Sequence, residues 1–328
     1  MARGKLPEIR SNKSLFSLPD YRTMASNIRI TFFGTGGSWP TPLRGLPSVG
    51  IQVDDKLNLF DCGEGSQKQI MKSSTSFMKV ENVFITHFHG DHFIGLIGMV
   101  QSMSFNGRSD PLNIYGPRGA IHMILNALNV GYFRLNFDVK ITELDANRTY
   151  DFGEFTISTL PNDHPVPALS YCLEEKDLIR IDRQKAEDLA FPVRRLEELR
   201  QKGILEIDGR IYSIGDVSAG VRKGRKIVYT GDTRPMQSMV EFSRNADVLI
   251  HDTTTDSSLE PKVNEFGHTS AKQAAKIARD ANVKRLYLFH YSPRVDDVNT
   301  LLTEAREIFP QTFASSDLAE FDVPVNRA

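Results

Sequence analysis

The chain is nearly without cysteine, with Cys62 and Cys172 the only two in 328 residues. Two thiols exclude a disulfide framework and fit a reducing compartment. Cys62 follows a strand-like apolar run, the position of a small core residue rather than of a metal ligand. Long hydrophobic runs are missing too. No stretch approaches the length of a membrane span, and the N-terminus lacks the apolar centre of a signal peptide. The expectation is a soluble, cytoplasmic protein with no membrane partner. An excess of one charge is also lacking: 40 basic residues stand against 41 acidic ones, a net charge of -1. Nucleic-acid binding therefore gets no global support and must come from local patches. No internal repeat or low-complexity segment is apparent. What remains, 40% hydrophobic and 25% charged residues, is ordinary for a globular protein, and the length fits two domains or one large α/β domain.

Against that plain background one stretch stands out. Thr86-His-Phe-His-Gly-Asp-His92 places His87, His89, Asp91 and His92 within six residues. The apolar run Val83-Phe84-Ile85 before it is short and rich in β-formers, which predicts a buried strand. Phe93 to Met103 carries apolar residues at helical spacing, and Asp91 sits where a helix start favours a carboxylate. The four side chains thus share one strand-to-helix turn at the edge of a core. Imidazole and carboxylate suit zinc and similar borderline metals, so the turn reads as a metal site for two ions.

The same rhythm of strand, turn and helix recurs along the chain. Ile28 to Phe33 leads to Gly34-Thr-Gly-Gly37; with no helix or phosphate-loop lysine after it, this is not a nucleotide-binding loop. Strands over Val49–Val53 and Leu57–Phe60 lead to Asp61-Cys-Gly-Glu-Gly-Ser-Gln67 and a helix, whose start at Ser66 reads equally as an anion site or as plain capping. Strands over Leu112–Tyr115, Val139–Ile141 and Phe155–Leu160 come next, the last ending near His164, which the residues alone leave open between a ligand and a structural histidine. Later runs end at Asp232, at His251 and at His290, with Ser270 or Thr269 capping a helix over 271–281. Asp61, His87, His164, Asp232, His251 and His290 each come after an apolar run. Groups beyond strand ends collect along one rim in sheet folds flanked by helices, so the rim reads as a dinuclear centre that Asp232 can bridge with its two oxygens. Two segments differ in character. Residues 1–26 lean basic and lack periodicity, a solvated terminus or an arm for phosphates. Residues 174–226 are dense in mixed charge, with Leu196 and Leu199 on a short surface helix, and read as a solvated face or a protruding arm.

These motifs together resemble those of a known family. His87-x-His89-x-Asp91-His92 with distant single His, Asp and His is the pattern of the metallo-β-lactamase superfamily. Phe60–Gln67, Phe84–Leu96, Tyr115-Gly-Pro117, Tyr229–Pro235 and Gly267-His-Thr-Ser270 are similar to the tRNase Z family, tRNA 3′-processing endoribonucleases, over residues 28–325 and at the length of its short form. The resemblance implies an α/β fold of four layers, an αβ/βα sandwich, spanning residues 27–328 with an arm within 174–226. It implies two zinc ions per chain, with manganese as a substitute. His87, His89 and His164 would hold one, Asp91, His92 and His290 the other, and Asp232 would bridge. Hydroxide between the ions would attack the phosphodiester, with Asp91 as the orienting base and His268 protonating the departing 3′-oxygen, itself oriented by Asp252. Substrate contacts would come from Arg44, Ser66, Arg234 and Ser270. The implied partners are precursor tRNA and a second copy of the chain in a homodimer.

The sequence also departs from that pattern. The motif His-Glu-Ala-Thr reads His251-Asp252-Thr253-Thr254, so the carboxylate serving His268 is one methylene shorter and needs a closer backbone. The loop Pro-x-Lys-x-Arg-Asn, associated with the tRNA end and CCA, reads Pro40-Thr-Pro42-Leu-Arg44-Gly45. The arm lacks its Gly-Pro tip, and the last motif keeps only Asp317. Two other readings remain: a phosphodiesterase or hydrolase for small esters, favoured by a buried pocket without a basic platform, and a tRNA-binding homologue with little activity. The presence of all seven candidate ligands and His268 argues against the second.

Overall fold

The computed structural model describes residues 26–326; the basic segment 1–25 lies outside them. Two seven-stranded sheets form the frame. The first runs Glu320–Asp322, Ile28–Gly34, Ser48–Val53, Lys56–Phe60, Val80–Phe84, Leu112–Gly116 and Val139–Glu143. The second runs Thr312–Ala314, Leu286–Phe289, Val248–Asp252, Lys226–Tyr229, Leu169–Glu175, Phe155–Pro161 and Thr149–Asp151. Each sheet has a parallel block, Lys56–Phe60 through Val139–Glu143 in the first and Lys226–Tyr229 through Thr312–Ala314 in the second. Strands that are parallel need crossovers, and the helices between them cover the outer faces.

Three apolar clusters account for the layering. One joins the inner faces of both sheets: Ile30, Val49, Phe60 and Phe84 meet Ile157, Tyr171, Ile227, Ile250 and Phe289. A second packs the helix Gly95–Phe105, through Leu96, Met99 and Met103, and Ile124 of the helix Ala120–Leu128, on the outside of the first sheet. The third packs Ala271–Asp280 and Val298–Arg306, through Ala274, Ala278, Leu301 and Ala305, on the second. The order helix, sheet, sheet, helix is the expected αβ/βα sandwich. Cys62 and Cys172 are both buried and free, which matches the core role read for Cys62.

Residues 175–225 form a separate compact unit. It holds a small core of its own, in which Ile179, Phe191, Leu199, Leu205, Tyr212 and Val217 pack together. Leu199 lies on the helix Leu196–Lys202 and is fully buried, so its apolar face turns inward. Glu175 and Arg225 make a buried ion pair at 2.8 Å.

Two boundaries moved relative to the sequence pattern, with consequences for the site. The strand expected over 246–250 spans Val248–Asp252, so His251 and Asp252 lie within it. The helix expected from Phe93 is broken in two, Gly90–Phe93 and Gly95–Phe105. Its first turn starts early because His89 is its N-cap and Asp91 occupies the first turn.

Phe84 shows how the core and the histidine turn are joined. It is fully buried, stacks on Phe60 and Tyr115 with ring centroids 5.0 Å apart, and ends the strand that delivers His87. Phe84→Ala should cost about 3–5 kcal/mol of unfolding free energy, measured by denaturant titration. A loss below about 1 kcal/mol would show that this aromatic stack is not the support of the turn.

Candidate metal centre

Strand ends build the site. In the first sheet Lys56–Phe60 and Val80–Phe84 run out into Asp61 and into Thr86-His87; in the second Lys226–Tyr229, Leu286–Phe289 and Phe155–Pro161 run out into Asp232, His290 and His164. Side chains beyond the carboxyl ends of parallel strands face a common crevice. Backbone strain marks the same rim: Asp61 has φ 56° and His290 φ 63°, a left-handed conformation that non-glycine residues adopt at a cost.

The candidate ligands converge as three overlapping groups: His87, His89 and His164 with Asp232; Asp91 and His92 with His290; and Asp232, Asp252 and His268 with His290. In the first, His87 Nε2 lies 3.1 Å from His89 Nδ1, His164 Nε2 lies 3.2 Å from the same atom, and His87 Nε2 is 3.6 Å from Asp232 Oδ2. In the second, His92 Nε2 and His290 Nε2 are 3.3 Å apart, and Asp91 Oδ2 is 3.7 and 3.6 Å from them. Asp232 reaches this group with both oxygens, Oδ2 at 3.3 Å from His92 and Oδ1 at 3.3 Å from His290. Tetrahedral zinc with bonds of about 2.0–2.1 Å separates its ligand atoms by about 3.3 Å. The spacing fits.

Hydrogen bonding behind the rings says what the front of the site needs. His92 Nδ1 donates to Asp61 Oδ2 at 2.7 Å, and His164 Nδ1 donates to the carbonyl of Gly267 at 3.0 Å. His290 Nδ1 lies 3.4 Å from Thr254 Oγ1, whose own proton goes to Asp252 Oδ1. These partners leave lone pairs at Nε2 of all three rings. Bare nitrogen lone pairs facing one another and two carboxylates in a buried cleft are unfavourable unless a cation lies among them. Asp232 Oδ1, buried and accepting no hydrogen bond, is the same signal. The donor set fits two borderline dications.

The titration behaviour agrees. Burial opposes charge on His92, but Asp232, Asp61 and Asp91 prevail and push its imidazole well above the ordinary range. Burial and the neighbouring His92 hold His87 well below it.

Asp61 is not itself in any of these groups. It accepts the backbone N–H of Thr86 at 2.7 Å, the Thr86 hydroxyl and the Tyr229 hydroxyl at 2.8 Å, besides His92. It holds the histidine turn in place. Nothing in the spacing of Thr86, Tyr229 and Thr254 marks them as residues that act through another's ring. His251 is a correction to the rim pattern: its ring lies buried inside the strand, with Nδ1 on the carbonyl of Asp252 at 2.8 Å, outside all ligand groups. Strand alternation sends it to the face away from the crevice while Asp252 enters.

Asp252 does reach His268. Its Oδ2 lies 3.0 Å from His268 Nδ1, with Asp232 Oδ2 at 3.8 Å. Because the strand extends to Asp252 itself, the shorter side chain suffices. Burial disfavours charge on His268, but Asp252 and then Asp232 outweigh it, and the ring is pushed up to about 9. His268 is partly exposed and lies beside Asp232. Glycine permits the close approaches on either side: a Cβ on Gly37 would meet the His290 ring at 2.3 Å, and Gly267, at φ 90°, would press one against His164 at 2.7 Å.

The four residues expected to contact substrate sit in structural roles at the margin. Ser66 Oγ donates to the carbonyl of Gly63. Ser270 is the buried N-cap of Ala271–Asp280, in a capping box with Gln273. Arg234 bonds Asp163 and the carbonyls of Asn264 and Glu265. Arg44 donates to the carbonyl of Val295 and lies over the Tyr291 ring. Asp317 binds Thr35 and Gly45 at either end of the loop 35–45 and also Gln69.

Comparison with known proteins places this arrangement. A family model described as "Anti-Pycsar protein Apyc1" matches residues 28–311. Ribonuclease Z of Thermoplasma acidophilum is 65% identical over 304 residues, 93% of this chain and 99% of its own. Ribonuclease Z of Picrophilus torridus is 54% identical, covering 92% and 97%. The chain belongs to the ribonuclease Z family. It also falls within the family that the Apyc1 model describes. Among solved structures, human tRNase Z, short form, matches at 25% identity and a TM-score of 0.66, over 90% of this chain and all of its own. The metallo-β-lactamase fold protein YhfI of Bacillus subtilis matches at 21% identity and TM-score 0.67, over 90% and 99%.

Removing Asp61 tests the support behind the ligands. Asp61→Ala should weaken metal binding about 10- to 100-fold, read by competition with a chromogenic chelator. Unchanged affinity in a folded variant would show that the turn holds His92 without it.

Proposed function

We infer that this protein is an endoribonuclease that removes the 3′ trailer of precursor tRNA. The observation that carries the reading is the convergence of His87, His89, His164, Asp91, His92 and His290 around Asp232, with His268 held by Asp252 at 3.0 Å beside them. We propose that His87, His89 and His164 hold one zinc, that Asp91, His92 and His290 hold the other, and that Asp232 bridges them. When bound, two such ions supply charge stabilisation at the phosphate oxygens and lower the pKa of the attacking water.

The chain's own residues do the rest. Asp91 is fixed by the backbone N–H of Ser38 at 2.7 Å, which keeps one of its oxygens oriented as the base for the nucleophile. Asp252, at 3.0 Å from Nδ1, favours the charged ring of His268. His268 gives its proton to the departing 3′-oxygen, and Asp252 stabilises the ring and fixes its orientation. Residues 27–328 are assigned to the catalytic domain, with 174–226 as its arm. No helix among the described residues is long and apolar enough to cross a membrane. Free buried thiols at Cys62 and Cys172 support a reducing cytoplasm. Ile121 and Leu125, one turn apart on Ala120–Leu128, are both exposed, as is Phe105; these apolar side chains support a homodimer.

This reading sets three expectations. His268→Ala should retain two metal equivalents while turnover of precursor tRNA falls about 10²- to 10⁴-fold; metal lost together with activity would make His268 a ligand instead. Asp232→Ala should lower the metal content seen by elemental analysis, and two equivalents retained would remove its bridging role. Mapping product ends from one precursor tRNA, with and without encoded CCA, should locate a single cut at the base of the trailer. Cleavage of bis(p-nitrophenyl) phosphate with no cut in that RNA would point to a hydrolase for small esters.

A further inference from the structure

The loop 37–45 carries a side chain that the reaction chemistry leaves without a task. Trp39, the only tryptophan of the chain, is half exposed, 50%. A large aromatic ring open to solvent gives up the burial that usually holds tryptophan. Its place is fixed from both sides. Ser38, the residue before it, donates its backbone N–H to Asp91 at 2.7 Å, so Trp39 directly follows the residue that holds a candidate metal ligand. Trp39 N–H closes a tight turn on the carbonyl of Gly37 at 2.9 Å, and Pro40 and Pro42 stiffen the rest of the loop.

The other side of the indole is an arginine. Arg294 lies with its guanidinium carbon 5.8 Å from the centre of the Trp39 ring, four residues beyond His290. Arg294 is exposed and forms no salt bridge among the described residues. The two segments are stitched together: Gly37 N–H donates to the carbonyl of Tyr291, Tyr291 N–H to that of Thr35, and Arg44 to that of Val295. Asp317 closes the base of the loop at Thr35 and Gly45. An exposed aromatic ring and a cation with no carboxylate partner among the described residues are thus held rigidly at the rim of the ligand cluster.

We propose that Trp39 and Arg294 form a stacking platform for the base of an unpaired nucleotide next to the cleaved phosphodiester. The indole face takes the base and the guanidinium takes the neighbouring phosphate, the pairing by which single-stranded nucleic acids are held without sequence readout. A platform built in advance loses little entropy on binding. It sets the register of the strand, placing one phosphate over the metal cluster rather than the next. The proposal rests on the ribonuclease reading, and its own readout is independent of cleavage.

Since Trp39 is the sole tryptophan, all indole emission reports on this position. Titration of the metal-loaded protein with a short single-stranded oligoribonucleotide should quench that emission saturably, whereas a blunt RNA duplex should not. Trp39→Ala should raise KM for precursor tRNA about 5- to 100-fold, with a smaller change in kcat and unchanged metal content. Trp39→Phe should restore much of the loss, and Arg294→Ala should make oligonucleotide binding less dependent on salt. Absence of quenching at saturating oligonucleotide would overturn the platform, as would an unaltered KM in Trp39→Ala or a Phe variant no better than Ala. If the wild-type protein leaves precursor tRNA uncut yet is quenched by the oligonucleotide, the platform stands and the ribonuclease reading falls.

Discussion

Both ligand groups lean on one buried carboxylate. Asp232 sits within 3.6 Å of ring nitrogens on His87, His92 and His290 and within 3.8 Å of His268. Burial alone would neutralise it, yet the surrounding imidazoles keep it ionised, well below the usual carboxylate range. Without that charge, the cluster would be a crowd of ring nitrogens with nothing to organise them. With it, the geometry suits two cations, and His268 gains part of the field that keeps its proton. The position of Asp232 is in turn a matter of strand pairing. Lys226–Tyr229 lies between Leu169–Glu175 and Val248–Asp252 in the second sheet, and the turn at Gly231 lets Asp232 fold back towards the histidine turn of the first.

That dependence explains the construction of the site. The candidate ligands come from both sheets, and no single strand or loop contributes a complete set. Asp61 ties the histidine turn to Tyr229, and so to the second sheet, through one carboxylate that accepts from both. Loop 35–45 and the segment after His290 are fastened to each other by backbone hydrogen bonds and by Arg44. Rigid positioning of this kind is what a metal-assisted hydrolase requires, since ligand spacing tolerates errors of a few tenths of an ångström.

Much of this was legible in the sequence because metal ligands cluster and strands alternate with helices. The histidine turn and the strand ends before His164, Asp232 and His290 are carried by residue type and period, whereas the four layers and the choice of His164 as a ligand came with the family resemblance. What stayed hidden depends on side-chain direction. His251 and Asp252 are neighbours, but the strand sends one into the core and the other to His268, and the pattern of apolar residues ended that strand two positions early. Asp61, Thr86, Tyr229 and Thr254 work through hydrogen bonds to ligand rings, which leave no spacing signature. Leu199 reads as part of a charged surface helix until the core within 175–225 is seen to enclose it. Trp39 is one aromatic residue in a proline-rich loop, and only the contact with Arg294 gives it a context.

The central claim is that one carboxylate joins two ions at this rim. X-ray absorption at the zinc edge of the fully loaded protein measures it directly. The account predicts nitrogen and oxygen ligands at about 2.0–2.1 Å and a metal–metal scattering path of about 3.5–4 Å. A single equivalent of zinc with no metal–metal path, in protein that still cleaves precursor tRNA, would contradict it.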